Sequence, residues 1–266
     1  MVEDKLIRIG ISGSLGQMNQ SIINLLLKDN SFILTSLFEP YKKVTSDDYI
    51  LVANEKLFHS NEINVLEDSD IILDFSHDNN TINILKFAEE KKKKLVVGTT
   101  KLSEKTIELM KKVSNNLAIF YSPNMSYGIN AFFSLIPSLL EKFNGFDIEI
   151  IEKHHRRKKD APSGTALKIF DIIKQNKEIY NPIFDRTKLD RPRKEDEIGI
   201  SSIRGGGVYG NHTILFLSES EEIEFTHRTL NKDSLAKGAL IAAKYISTKN
   251  SGLFYYENII QENFKF

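Results

Sequence analysis

The chain has 266 residues, of which 41% are hydrophobic and 27% charged, enough to bury a sizeable core and to form one large domain or two of ordinary size. Lys plus Arg equal Asp plus Glu at 36 each, and the zero formal charge argues against a general binder of polyanions, which carries a basic excess. Cysteine is absent, which excludes disulfides, thiolate nucleophiles and cysteine-held metals; without a signal-peptide core or an apolar run of bilayer length, a cytoplasmic protein or the mature form of an imported one is expected.

Lys5 to Ile11 is an almost continuous apolar run, the pattern of a parallel strand covered on both faces. It opens into Gly13-Ser14-Leu15-Gly16-Gln17-Met18-Asn19 and then a helix carrying Ile22, Ile23, Leu26 and Leu27. Strand, glycine turn and helix together read as the start of a dinucleotide fold. Gly13 permits the tight turn, Gly16 lets the backbone approach a pyrophosphate, and the helix N-terminus offers N–H groups. Leu15 and Asn19 depart from the usual fingerprint, standing where a middle glycine and a third small residue are common. Taken alone, the turn is equally an ordinary strand-to-helix loop. A second strand, Phe32 to Phe38, delivers Glu39, the place from which a carboxylate binds ribose hydroxyls. Pro40 puts no arginine beside it for a 2′-phosphate, whereas Lys42 and Lys43 keep NADPH open.

Residues 41–69 have weak periodicity and read as a short strand–helix region. Asp70 to Phe75 is a buried strand, Ser76 to Asn80 a polar turn, and Thr81 to Lys94 a helix with Ile82, Leu85 and Ala88 inward. Its closing lysines suit the negative end of the helix dipole. Leu95 to Gly98 is a strand ending at Thr99-Thr100, Ser103 starts a helix with Glu104 in its first turn, and Leu117 to Tyr121 is a strand running into Ser122-Pro123-Asn124-Met125. This alternation predicts an α/β, Rossmann-like doubly wound parallel sheet, with Gly98 to Thr100 and Ser122 to Met125 lining a cofactor crevice at the strand C-termini.

A long helix, Asn130 to Phe143, leads to the most unusual stretch. From Asp147, a strand with Ile148 and Ile150 on one face ends in His154-His155-Arg156-Arg157-Lys158-Lys159. Asp160 and Pro162 break the extended pattern, and Ser163-Gly164-Thr165 opens a helix with Ala166, Ile169, Phe170 and Ile173 on one face. Six adjacent basic or titratable side chains repel one another unless an anion sits among them, and the helix N–H groups would point at the same anion. From the run alone, a solvated turn or a nucleic-acid patch is the plainer reading. Neutral overall charge and the lack of interleaved aromatics count against nucleic acid.

Lys174 to Glu197 is the most loop-like segment and is expected to be mobile. Ile198 to Arg204, His212 to Leu217 and Ile223 to Arg228 are strands of an antiparallel or mixed sheet, so a second, α+β domain is expected. Ser234 to Ser247 is an amphipathic helix, followed by Gly252-Leu253-Phe254. The domains are placed at 1–125, dinucleotide-binding, with 233–266 returning to it, and at 126–232.

Glu152-Lys153-His154-His155-Arg156 through Asp160-Ala161-Pro162-Ser163-Gly164-Thr165-Ala166 resembles the signature of the dihydrodipicolinate reductase family. The resemblance extends over nearly the whole chain through Asp74-Phe75-Ser76, Gly98-Thr99-Thr100, Asn124-Met125-Ser126, Gly210-Asn211-His212-Thr213 and Ser251-Gly252-Leu253-Phe254. It implies reduction of 4-hydroxy-tetrahydrodipicolinate to tetrahydrodipicolinate with NAD(P)H, on the diaminopimelate and lysine pathway. It implies His154 as proton donor and Lys158 as second acid–base group, with His155, Gly164 and Thr165 holding the substrate carboxylates. Gly13, Ser14, Leu15, Gly16, Gln17, Met18, Glu39, Gly98, Thr99, Thr100, Ser122, Pro123, Asn124 and Met125 would hold the dinucleotide. Pro40 stands where many members carry arginine, which favours NADH. The resemblance also implies a homotetramer built through the sheet of the substrate-binding domain. A dicarboxylate substrate accounts for a dense cationic segment in a neutral protein. No metal, nucleic acid or membrane partner is expected; the nearest alternative is another NAD(P)-dependent dehydrogenase of an amino-acid-derived acid.

Overall fold

The computed structural model describes residues 6–176 and 181–264; Lys5 of the first expected strand and residues 177–180 of the loop-like segment lie outside them. The described residues cluster into two compact units, one running to Tyr127 and resuming at Asp233, the other Gly128–Lys232.

The first unit begins with β1 (Ile7–Ser12), α1 (Gln17–Leu26), β2 (Phe32–Phe38), β3 (Tyr49–Val52) and β4 (Glu55–Ser60). It continues through β5 (Ile71–Asp74), α2 (Asp78–Lys91), β6 (Lys94–Val97), α3 (Glu104–Val113) and β7 (Ala118–Tyr121). β5 has all four residues buried and β6 three of four, which is why these segments read as unbroken apolar runs. Residues 41–69 differ from expectation. They form a β3–β4 hairpin, turned by Ala53 and Asn54 at φ 49° and 69°, and a 3-10 turn over Ile63–Asp68. Two left-handed residues match the twist of paired strands, but alanine there is no sequence signal.

α2 starts three residues earlier than the pattern indicated. Asp78 occupies its first turn, where its carboxylate accepts from Ser103 N at 2.9 Å and Thr106 Oγ1 at 2.6 Å and so ties in the start of α3. Asn80, Thr81, Ile84, Leu85, Phe87 and Ala88 are buried, whereas Ile82 is only half-buried. Lys92, at φ 54°, ends α2, so the lysine run spans a helix end and the start of β6. Ser103 caps α3, accepting from Thr106 N.

The second unit follows α4 (Tyr127–Lys142) with β8 (Asp147–His154), α5 (Gly164–Asn176), β9 (Asn181–Ile183), β10 (Glu197–Arg204), β11 (Gly210–Leu217) and β12 (Glu222–Thr229). Its mixed sheet has the order β12-β11-β8-β10-β9. Ile148, Ile150, Ile198, Ile200, Ile214 and Phe216 pack under α4 and α5 in one apolar cluster. Burying each such side chain contributes roughly 1.5–3 kcal/mol, so this cluster holds the sheet face. Part of the loop-like segment is pinned by ion pairs: Arg186 and Arg193 both reach Glu149, Arg193 reaches Asp147, and Arg186 and Arg191 reach Glu197.

The chain then returns to the first unit with α6 (Asp233–Ser247), β13 (Gly252–Phe254) and α7 (Tyr256–Gln261). The completed sheet reads β13-β7-β6-β5-β1-β2-β4-β3, parallel except for β3. Tyr256 Oη donates to Met125 O at 2.7 Å, and a Cβ at Gly238 would lie 1.5 Å from that same oxygen, so α6 meets the end of the 122–125 loop backbone to backbone. Among the described residues, no helix is long and apolar enough to cross a membrane.

Candidate functional site

In the first unit, β2 lies on one side of β1 and β5 on the other, so the chain reverses its winding at the carboxyl end of β1. Ligands of doubly wound sheets bind at such a point. Gly13 stands there at φ 79°, its N–H and that of Ser14 both donating to Phe38 O at 2.9 and 3.0 Å. A Cβ on Gly13 would come within 3.1 Å of Ser76 and 3.3 Å of Phe75 O, so only glycine fits where the turn touches β5's end. Gly16 begins α1 without any side-chain cap, leaving first-turn N–H groups free of local oxygens.

The two departures from the fingerprint have separate explanations. Asn19 is buried, and its Nδ2 reaches Ser12 O at 2.9 Å, Gly13 O at 2.7 Å and Phe75 O at 3.4 Å, so it ties the turn together by hydrogen bonding rather than by small size. Leu15 presents its backbone N–H to Glu39 Oε2 at 2.9 Å. Glu39 Oε1 takes the N–H groups of Tyr41 and Lys42 at 3.1 and 3.3 Å, so the carboxylate is held between turn and strand end. Ser14 Oγ pairs with His59 Nδ1 at 2.7 Å, a contact with no sequence signal because His59 lies on the unrecognised hairpin.

Met18, Gly98, Thr99, Thr100, Pro123 and Met125 line one cavity of about 250 Å³ with Phe75, Ser76 and Leu235. Ser122 and Asn124 shape the loop beside it: Ser122 Oγ donates to Asn124 O at 2.7 Å, and Asn124 Oδ1 accepts from Ser126 N at 3.0 Å. Gln17 is exposed at the start of α1. Beneath lies Asp74, fully buried and held by Ser76 Oγ and Thr81 Oγ1, both at 2.6 Å. Burial pushes its carboxyl above the usual range, against those hydrogen bonds. The glycine cradle, the uncapped helix and the cavity fit a dinucleotide.

In the second unit, β8 is flanked by β10 and β11, and register places Glu152 opposite Ser202 and His212, and His154 opposite Arg204. Glu152 is fully buried. Arg204 grips it with Nη2–Oε1 at 2.6 Å and Nη1–Oε2 at 2.8 Å, Ser163 N donates to Oε1 at 3.1 Å, and His154 Nδ1 lies 2.5 Å from Oε2. Burial opposes its ionisation, but the hydrogen bonds from Arg204, Ser202 and His154 prevail and hold it down at about 2. His154 is shifted downward by burial, with Glu152 opposing and Lys158 and Arg204 assisting.

The turn after β8 carries His155, whose Nδ1 is buried without a partner, and Lys158, whose Nζ pairs with Asp160 Oδ2 at 2.8 Å. Gly164 and Thr165 are the first residues of α5. Ser163 Oγ accepts from Ala166 N at 3.2 Å and meets His212 Nε2 at 3.1 Å. The ring of His212 lies edge-on to that of His154, with centroids 5.1 Å apart. Arg204, Ser163 and His212 escaped assignment from sequence. The period of β8 held a clue, since it puts Glu152 on the same face as Ile148 and Ile150, where a carboxylate needs partners.

The sheet order, the glycine cradle and the carboxylate at the end of β2 define a Rossmann-like dinucleotide-binding protein with an added α+β unit. The chain belongs to the dihydrodipicolinate reductase family. Residues 7–125 match the family model described as dihydrodipicolinate reductase, N-terminus, and residues 128–260 the one described as dihydrodipicolinate reductase, C-terminus. It is 40% identical over 256 residues to the 4-hydroxy-tetrahydrodipicolinate reductase of Aquifex aeolicus, covering 93% of this chain and 96% of that one. It is 38% identical over 244 residues to that of Staphylococcus carnosus, covering 92% and 96%. The fold is shared with the dipicolinate-bound dihydrodipicolinate reductase of Paenisporosarcina sp. TG-14, with a TM-score of 0.77 at 22% identity over 96% of this chain and 99% of that one.

Burial, with neighbouring His154 adding to it, pushes His212 down to about 3. Its folded value lies below its unfolded value of 6.5, so the unfolded chain binds the proton more readily and stability falls as pH drops below about 6.5. Between pH 7 and pH 5 the wild type should lose about 2 kcal/mol more unfolding free energy than His212→Gln. Urea melts at the two pH values check this; parallel losses would show that His212 titrates normally.

Proposed function

We propose that the protein reduces 4-hydroxy-tetrahydrodipicolinate to tetrahydrodipicolinate with NAD(P)H in diaminopimelate and lysine biosynthesis, in the cytoplasm. Membership of the family over both units supports the reaction. The observation that carries the roles is that one continuous segment ends β8 in a buried imidazole held by a carboxylate and begins α5 at Gly164 and Thr165.

Bound NAD(P)H supplies the hydride, and this chain's residues bind, orient and protonate. Gly13 to Met18 offer the turn and the helix N–H groups to the pyrophosphate, Glu39 faces the ribose, and Gly98 to Thr100 with Ser122 to Met125 enclose the remaining part. The substrate carries two carboxylates. One is received by the N–H groups of Gly164 and Thr165, the other by His155 and Lys158. His154 supplies the proton and Lys158 is the second acid–base group. Without substrate, burial keeps His154 mostly neutral; a bound dicarboxylate adds negative charge and raises its proton affinity, so the acid forms when it is needed. NADH is the preferred cofactor, because Pro40 leaves no arginine beside Glu39. The sheet face of the second unit opposite α4 and α5, with Ile151, Ile203 and Leu215, is the surface through which four copies assemble.

Replacing His154 with Gln should lower kcat by about 10²–10⁴-fold while NADH still binds, read by following nicotinamide absorbance with freshly made substrate; an unchanged kcat would sink the assignment. kcat/KM should be higher with NADH than with NADPH, and the reverse order would overturn the reading of Pro40. Light scattering should return four times the chain mass, falling in Ile203→Glu; a monomeric wild type contradicts the assembly.

A further inference from the structure

The carboxylate of Glu152 accepts on both oxygens, with the Ser202 side chain as a further donor. Oε1 takes Arg204 Nη2 and Ser163 N, and Oε2 takes Arg204 Nη1 and His154 Nδ1. An ionised carboxylate only accepts, so the imidazole nitrogen facing it must carry the hydrogen. The other nitrogen, Nε2, is then the atom that gains and gives a proton. Nε2 lies against Gly210, where a Cβ would stand 3.0 Å from it, so a side chain at that position would crowd the atom. Through Ser163 N, the same carboxylate fixes the residue immediately before the N–H groups of Gly164 and Thr165.

Other charged and titratable groups meet His154 from each neighbouring segment. Lys158 comes from the following turn, Arg204 from β10, and His212, held neutral, from β11. Lys158 and Arg204 both work against an imidazolium, and Glu152 favours it.

We propose that Glu152, clamped by Arg204, is the positioning residue of the reduction: it holds His154 in the Nδ1–H form, leaves Nε2 to protonate the substrate, and keeps that acid in register with the helix terminus that receives a substrate carboxylate. This rests on His154 being the proton donor. Glu152 neither touches substrate nor takes a proton. The proton passes from Nε2 of the imidazolium to the substrate, while the Nδ1 hydrogen stays on its bond to Glu152.

The direct test is ¹⁵N-histidine NMR of the whole protein at pH 8, with His154 identified among the six histidines by its loss in His154→Gln. The wild-type ring should be in the Nδ1–H form and should change to Nε2–H in Glu152→Gln. A wild-type ring in the Nε2–H form overturns the proposal, however the variants fold. In steady state, Glu152→Gln should reduce kcat about 100-fold or more with little change in KM. It should also move the high-pH limb of kcat to lower pH, because losing the carboxylate disfavours the imidazolium. Arg204→Lys keeps charge but loses the two-pronged grip, and should show the same changes in smaller measure. A Glu152→Gln enzyme with an unshifted pH profile overturns the positioning role. A His154→Gln enzyme with full kcat overturns the assignment of the donor instead.

Discussion

The candidate site of the second unit depends on one buried anion, Glu152. Taking a carboxylate out of water costs several kcal/mol, and the cost is offset only when its oxygens are fully engaged. Glu152 meets that condition by gathering His154 from β8, Arg204 and Ser202 from β10 and the N–H of Ser163 just before α5, with Arg204 supplying two prongs. Removing one partner of such a pair typically costs about 3–5 kcal/mol, because the other is stranded. The ends of two strands and the beginning of a helix are therefore fixed relative to one another by a requirement of solvation, and the imidazole of His154 inherits that order.

The first unit uses the same device with neutral donors. Asp74 is buried among the hydroxyls of Ser76 and Thr81, and Asn19 spends its amide on three carbonyls from β1, the turn and the end of β5. These side chains tie the turn, the end of β1 and the end of β5 to one another. Thr99 shows the division of labour: its Oγ1 accepts from Ser76 N at 3.1 Å, so this hydroxyl shapes the pocket wall.

Much of this was legible in the residues. The core face of α5 followed from periodicity, because the helix buries a strongly patterned side, and β2 was placed at Phe32–Phe38. The glycine turn announced itself through chemistry that few other residues can supply. What could not be read depends on contacts between distant segments. Asn19 looked like a defect because its three acceptors lie up to 56 positions away. The β3–β4 hairpin was hidden by a turn built from Ala53 and Asn54, and with it went the Ser14–His59 pair. Glu152 stood in plain sight within the signature, but register with β10 and β11 was needed to show what it holds.

The return of the chain to the first unit has a bearing on how the molecule is made. Ala236, Ala239, Ala242 and Ala243 of α6 belong to the same apolar cluster as Ile9, Ile11 and Leu73, and β13 forms the edge of the sheet beside β7. A ribosome delivers β1 to β7 first, yet α6, which shares the cover of one face of their sheet with α1, is encoded only from Asp233 on. The unit begun first is the one completed last, and the intervening segment, which is continuous, can settle around its own cluster in the meantime. During synthesis the exposed apolar face of the early strands is thus the surface most open to mispairing, and its protection depends on how quickly the last part of the chain arrives.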